Sequence, residues 1–253
     1  MPSLEVYHSS LSYSYAPGVF PSLECLKNRP DAARRLLVHS QSGKNEGVRT
    51  LQNLCESLHI RVEEADRALG RISGKENCYA AVVFEKFQGN LSLDGSHVVL
   101  HHPSDAGNLG TILRTALGFQ MTNIAIIRPA ADIFDPKVIR ASMGALFSLQ
   151  VKHFDTFEKY RDAYPRHALY PFMLDGSCSL LEAAECPKAP YALVFGNEGS
   201  GLDPSFARLG QAVRIPHSDK IDSLNLSVAA AIGMYAFSSW EEEACTKKSQ
   251  KAY

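Results

Sequence analysis

The residues best suited to chemistry fall in three short polar segments. The first opens at Asn108 and carries an arginine: Asn108-Leu109-Gly110-Thr111-Ile112-Leu113-Arg114-Thr115. The second is Phe195-Gly196-Asn197-Glu198-Gly199-Ser200-Gly201-Leu202, and the third runs from Ile215-Pro216 through Asp222-Ser223-Leu224-Asn225. Each follows an apolar, strand-like run and opens a helix-like one, so the three are expected to meet in one composite site. Glycines in the second segment let backbone amides and carbonyls approach a ligand closely. Its G-x-x-G-x-G spacing is not the dinucleotide G-x-G-x-x-G, and it follows a late strand rather than the first. No G-x-x-x-x-G-K-[ST] occurs and Ser200 does not sit in G-x-S-x-G, so the sequence carries neither a nucleotide phosphate loop nor a serine-hydrolase elbow.

In the first segment Asn108 stands where a helix N-cap is expected. Beyond it Leu109, Ile112, Leu113, Ala116 and Leu117 make one apolar stripe, with Thr111, Arg114 and Thr115 on the other side. Arg114 is thereby presented rather than buried; a plain solvated arginine on an isolated helix looks the same. A guanidinium with a pKa above ~12 is a poor base, and its planar fork suits pairing with an oxyanion. In the third segment Ser223 or Asn225 suits the cap of a final helix. The pair His101-His102 lacks partners at metal spacing and reads as a strand end.

Two units are expected to hold these segments. Residues 1–90 alternate strand and helix patterns: Leu36–His39, a helix with Val48, Leu51, Leu54, Cys55 and Leu58 on one face, Ile60–Val62, Glu64–Leu69 and Ala80–Phe84. Residues 91–95 read as a linker. Residues 96–242 alternate strictly. Strands are read at His97–His101, Asn123–Arg128, Leu149–His153, Leu169–Leu174, Tyr191–Phe195 and Ala212–Ile215. Helices are read at Leu109–Gly118, Pro136–Phe147, Phe157–Ala163, Ser179–Glu185 and Pro204–Leu209, with a last one from Leu226 to about Trp240. Apolar strands separated by helices mean a parallel sheet covered on both faces, a doubly wound α/β fold. Residues 243–253, with Lys247, Lys248 and Lys251, read as a frayed basic tail.

Bulk properties bound the function. The 253 residues carry a net charge of −1, with 45% hydrophobic and 21% charged residues, as in ordinary globular proteins. Residues 1–90 hold 11 basic and 10 acidic side chains and the remainder 15 and 17, so neither half is a basic module. Any nucleic-acid contact must then come from a local patch. No apolar run reaches the ~18–20 residues of a membrane span, and the opening Met-Pro-Ser-Leu-Glu-Val lacks a signal-peptide profile. Six cysteines without C-x-x-C spacing read as reduced thiols rather than a disulfide frame or zinc site. A cytoplasmic protein without membrane or metal is expected.

Taken in order and spacing, the three segments resemble motifs 1, 2 and 3 of the SpoU (TrmH-like) RNA 2′-O-ribose methyltransferases of the SPOUT superfamily, over about residues 95–240. Arg140-Ala141-Ser142-Met143-Gly144-Ala145 is also similar to that family's R-x-S-x-G-A helix, where a helix-packing role competes with one at the site. The resemblance implies a C-terminal trefoil knot, and for residues 1–90 a small α/β RNA substrate-binding domain. It implies S-adenosyl-L-methionine as cofactor, contacted by Leu174, Gly196, Asn197, Gly201, Ile215 and Leu224. It implies catalytic roles for Asn108, Arg114, Glu198, Ser223 and Asn225, with ribosomal RNA favoured over transfer RNA. A homodimer built around the final helix is also implied, with Ala229, Ala230 and Gly233 as the small residues of close approach; packing on the chain's own sheet is the competing use. One departure stands out: His217-Ser218-Asp219 occupy positions where the family often has Met, a small residue and Gly. The rival class is an RNA- or ribosome-binding relative that has lost catalysis, against which the intact Asn108, Arg114, Glu198, Ser223 and Asn225 set argues. An unrelated Rossmann oxidoreductase has no supporting fingerprint.

Overall fold

The computed structural model describes residues 4–73 and 78–250, with side chains excluded for Ser73 and 239–250. Its chain divides into two compact units: Met1–Gln88 with Leu109–Arg114 and Asp132–Ser148, and Gly89–Asn108 with Thr115–Ala131 and Leu149–Tyr253. The first therefore takes in two later segments as well as the opening stretch.

The first unit is a four-stranded mixed sheet. Its elements are β1 (Tyr13–Pro17), α1 (Val19–Asn28), β2 (Ala33–Val38), α2 (Glu46–Ser57), β3 (Arg61–Glu64), α3 (Asp66–Ser73) and β4 (Ala80–Glu85), with strand order β1-β4-β2-β3. β1 and α1 have no counterpart in the sequence expectations. In β1 the aromatic Tyr13 and Tyr15 alternate with Ser14 and Ala16, so no apolar run marks it, yet Ser14, Tyr15 and Ala16 are fully buried. α1 lacks a side-chain cap and carries Pro21, which removes the usual start signal. Residues 132–148 supply α5 (Pro136–Ala141), which stops well short of the expected Phe147. Met143 and Gly144 turn left-handed there, at φ 54° and 82°, and a short 3-10 turn follows at Ala145–Ser148. A Cβ at Gly144 would lie 2.9 Å from Pro21 and Glu24, so the R-x-S-x-G-A stretch ends its helix in a tight packing turn.

The second unit is built on a five-stranded sheet in which every pairing is parallel. Its strands are β5 (His97–His101), β6 (Asn123–Ile127), β7 (Gln150–Phe154), β8 (Ala168–Pro171) and β10 (Tyr191–Phe195), in the order β7-β6-β5-β10-β8. Helices α4 (Ala106–Gly118, shared with the first unit), α6 (Phe157–Ala163), α7 (Leu180–Glu185) and α8 (Leu226–Gln250) connect and cover them. β6 and β10 are buried at every position, as continuous apolar strands between two helical layers must be. Running outward from β5, sequence order ascends on one side through β6 and β7. On the other side β10 intervenes before β8. The loops leaving β5 and β10 therefore part company at a topological switch point, where open parallel sheets form their ligand crevices.

Three expected elements differ. The run Ala212–Ile215 does not join the main sheet; only Val213–Arg214 is strand, as β11, pairing in parallel with β9 (Cys178–Ser179). β8 ends at Pro171 rather than Leu174; beyond it Phe172 still donates to the Val194 carbonyl, and the chain then turns to Val213, to whose carbonyl Met173 donates. α8 continues past Trp240 to Gln250; residues 251–253 lie outside the described residues.

The small residues of α8 are used inside the chain. Ala230 is fully buried, and a Cβ at Gly233 would stand 2.7 Å from Phe172 Cζ and 3.1 Å from Phe195 Cζ. Those two rings stack at 4.4 Å beneath the helix. The expectation that Ala230 and Gly233 let two copies approach is corrected accordingly. Gly233→Val is expected to lower unfolding stability by about 1–3 kcal/mol through overpacking, seen as a lower urea midpoint that does not depend on protein concentration.

Candidate active site

The polar segments gather at the crevice that the sheet order dictates. Leaving β5, the chain turns through His102 and Ser104 into α4. Leaving β10, it forms the glycine loop 196–202. A cleft of about 400 Å³ opens here, walled by Phe172, Met173, Leu174 and Asp175 after β8, by Phe195 to Leu202, by Val213, Ile215 and His217, and by Ser223, Leu224, Leu226 and Ala229. All six residues expected on the cofactor side (Leu174, Gly196, Asn197, Gly201, Ile215 and Leu224) line it. Of the residues expected to be catalytic, Glu198 and Ser223 line it directly.

The glycine loop is closed on itself. Asn197 and Gly201 exchange both backbone hydrogen bonds, at 3.2 and 3.0 Å, and Gly201 takes φ +66°. A Cβ at Gly196 would lie 2.2 Å from the carbonyl carbon of Gly201, so only glycine permits this crossing. Asn197 holds the turn from within. Its Oδ1 accepts from the amides of Gly199 and Ser200 at 2.8 and 3.3 Å, while Nδ2 donates to the His102 carbonyl at 2.7 Å. Its side chain is thus spent tying the loop to the end of β5.

Glu198 is the junction between the loop and α4. Its carboxylate accepts from the Ser104 amide (3.0 Å), the Ser104 hydroxyl (2.8 Å), the Asp105 amide (3.0 Å) and, more weakly, the Nδ2 groups of Asn108 and Asn197 (both 3.4 Å). Partial burial pushes its pKa up, but the Ser104 and Asp105 amides and the Ser104 hydroxyl outweigh it and hold the carboxyl below the usual range. A carboxylate so saturated with donors at a helix N-terminus is an anchor rather than a proton acceptor.

Asn108 is not the helix cap. Asp105 is: its Oδ1 accepts from the Asn108 amide at 2.7 Å, which puts Asn108 at the third helical position. The Ser104-Asp105 pair ahead of a helical run is the signal that locates this cap and, with it, the Glu198 anchor. Freed from capping, the Asn108 side chain faces both neighbouring segments. Nδ2 points to Glu198, and Oδ1 accepts from Asn225 Nδ2 at 3.0 Å. Asn225 caps α8, its Oδ1 accepting from the Ser227 amide (2.9 Å) and hydroxyl (2.7 Å). One hydrogen-bonded chain therefore joins Glu198, Asn108 and Asn225, one residue from each segment. Arg114 stands outside it, exposed on α4. The departure at His217 is accommodated by a local bond, with the ring Nδ1 2.8 Å from the Ile215 carbonyl.

Among the described residues no group of three or more His, Cys, Asp or Glu side chains is placed to hold a metal, and no helix is long and apolar enough to cross a membrane. His101 and His102 close β5 with their rings 3.8 Å apart; burial, then the neighbouring His102, brings His101 down to about 4.

The Glu198 anchor gives a signed pH test. Glu198→Gln replaces one acceptor oxygen with a donor that opposes the Ser104 or Asp105 amide, and is expected to cost roughly 1–2 kcal/mol at pH 7 in this partly exposed setting. A carboxyl with a lowered folded-state pKa stabilises above its unfolded value of about 4.3 and loses that contribution as pH falls through the folded one. The stability gap between wild type and variant, read by urea melts, should accordingly close below about pH 4.

Comparison with known proteins bears on the same region. Residues 95–235, more than half of the chain, match the model of the SpoU rRNA Methylase family. Among curated relatives, the chain is 31% identical over 147 residues to the 23S rRNA (uridine(2479)-2′-O)-methyltransferase of Streptomyces viridochromogenes, covering 54% of this chain and 50% of that one. It is 32% identical over 155 residues to the 23S rRNA (adenosine(1067)-2′-O)-methyltransferase of Streptomyces laurentii, covering 59% and 56%. The matches span about half the length of these relatives. Among solved structures, the SpoU methyltransferase AviRb from Streptomyces viridochromogenes superposes with a TM-score of 0.78 at 23% identity, over 92% of this chain and 91% of that one. The AdoMet-bound rRNA methyltransferase from Sinorhizobium meliloti does so with a TM-score of 0.75 at 23% identity, over 89% and 87%; at that identity both likenesses are of fold. With its three segments joined at the switch point of a parallel sheet, the chain belongs to the SpoU rRNA methylase family.

Proposed function

We propose that this protein is an S-adenosyl-L-methionine-dependent RNA 2′-O-ribose methyltransferase, acting on ribosomal RNA in preference to transfer RNA. The observation that carries this reading is the convergence of Glu198, Asn108 and Asn225 beside a glycine-floored cleft in a chain of this family. The cleft fits a nucleoside-sized ligand: its volume lies within the usual ~300–1,000 Å³ of small-molecule sites, and its walls are mostly apolar with a few convergent polar groups. Leu174, Ile215 and Leu224 would hold the apolar part of the cofactor, and Gly196, Asn197 and Gly201 would bring backbone against it. Bound S-adenosylmethionine supplies an electrophilic methyl group.

The chain's own residues position the acceptor. Arg114 clamps a phosphate beside the reacting ribose and orients its 2′-hydroxyl, whose proton passes to that phosphate rather than to the guanidinium. Ser223 lines the pocket within reach of the acceptor's hydroxyls. Glu198 and Asn108 act by holding the first and second segments in register. Residues 1–90 serve as an RNA-holding domain, the segment after β10 passes through the trefoil knot of the family, and the protein works in the cytoplasm.

A homodimer belongs to the same reading, on a different face of α8 from that first expected. Val228 and Tyr235 are 46% and 62% exposed at helical spacing, and Phe119 lies 5.9 Å from the Tyr235 ring, all within the second unit. This apolar strip offers a self-complementary twofold contact.

Calorimetry with S-adenosylhomocysteine, NAD and ATP tests the cofactor: binding of the first alone is expected, and no heat with it would overturn the reading. Arg114→Ala should leave that affinity nearly intact while methylation of ribosomal RNA falls about 10²–10⁴-fold, with no rescue by Arg114→Lys. Wild-type turnover in the alanine variant would remove Arg114 from the mechanism. Val228→Glu with Tyr235→Glu should yield monomers in sedimentation at micromolar concentration; a wild-type monomer that is fully active counts against the dimer.

A further inference from the structure

One polar residue of the cleft, His217, is the sole imidazole among its lining residues. Six polar side chains line it: Asp175, Asn197, Glu198, Ser200, His217 and Ser223. Asn197 and Glu198 are engaged in holding the loop and helix together. His217 is different in kind. It is half-buried, and its Nδ1 lies 2.8 Å from the Ile215 carbonyl, two residues back along the chain. A carbonyl can only accept, so Nδ1 carries the hydrogen, and in that tautomer Nε2 is the lone-pair acceptor. The Ile215 bond fixes the ring as well as the tautomer. Among the described residues Nε2 has no protein partner, and His217 lines the cleft.

The surroundings say what this acceptor meets. Phe172, Ile215, Leu224 and Leu226 are among the apolar residues lining the same cleft, which suits a flat heterocycle. A fixed acceptor at the edge of such a slot selects for a ring-borne N–H donor and against a ring-borne carbonyl. In a slot of this kind an unpaired polar group is costly, and so discrimination by hydrogen bonding exceeds discrimination by shape.

Resting on the cofactor reading above, we propose that His217 Nε2 accepts a hydrogen bond from the exocyclic amino group of the cofactor's purine and so selects a 6-amino over a 6-oxo ring. The contact is particular to this chain, because the Met more usual at this position accepts hydrogen bonds only weakly. Ser218, Asp219 and Lys220 are exposed in the same loop, whereas His217 is half-buried and lines the cleft.

The test compares S-adenosylhomocysteine with S-inosylhomocysteine, in which oxygen replaces the amino group, by calorimetry on wild type, His217→Met and His217→Phe. Wild type should prefer the adenosyl compound, and that preference should shrink about five- to tenfold in both variants. Melting of the ligand-free variants at the wild-type temperature establishes that the loop has not simply collapsed. An unchanged preference overturns the assignment, as does a loss of affinity shared equally by both compounds, which is what a purely structural histidine would produce. Wild type that binds neither compound removes the cofactor reading itself, an outcome distinct from a flat preference. A preference that shrinks in Met and Phe variants that fold normally supports the proposal.

Discussion

A single carboxylate holds the composite site together. Glu198 belongs to the glycine loop by sequence and to the mouth of α4 by hydrogen bonding, receiving the amides of Ser104 and Asp105 in the positive field of a helix start. With Asn197, whose Nδ2 donates to the His102 carbonyl, it ties together two loops that leave adjacent strands. The weak, 3.4 Å reach of Asn108 extends the same negative charge into the first segment. The loop that floors the binding cleft is held by this contact together with its own Asn197–Gly201 closure.

The sheet contributes the other half of the constraint. With β10 lying between β5 and β8, the crevice forms where neighbouring loops diverge, and the two strands that bound it are fully apolar along most of their length. Rigid strands carry short, irregular loops, and the polar atoms of those loops satisfy one another across the gap. The Phe172–Phe195 stack under Gly233 extends the rigid base to the final helix. That helix then starts at a residue of the site, Asn225, so its cap and the site share an atom set.

Much of this was legible beforehand for identifiable reasons. Continuous apolar runs such as Tyr191–Phe195 can only be buried strands, and glycine spacing at 196, 199 and 201 marks a close crossing whatever the ligand. Six cleft residues were readable from the family pattern because that pattern records backbone geometry. The failures have equally local causes. Asn108 looked like a cap because asparagine often is one, but the helix starts three residues earlier, where Asp105 accepts from the Asn108 amide. Ala230 and Gly233 satisfy a close-packing pattern without revealing which surface is approached, and the chain's own aromatic pair took that place. β1 stayed hidden because Ser14 and Ala16 sit between its tyrosines, so its burial depends on partners distant in sequence.

The Glu198–Asn108–Asn225 chain also has a direction. Each donor points the same way, from the amides at the start of α8 to Asn225 Oδ1, from Asn225 Nδ2 to Asn108 Oδ1, and from Asn108 Nδ2 to the Glu198 carboxylate. An aspartate at 108 would keep the acceptor for Asn225 but set a second negative charge against Glu198; a leucine would strand a donor on one side and an acceptor on the other. Residue identity at any one of the three positions is thus dictated by the other two. Over evolutionary time these three sites, scattered across 118 positions of sequence, should drift as one inherited character, lost or retained together.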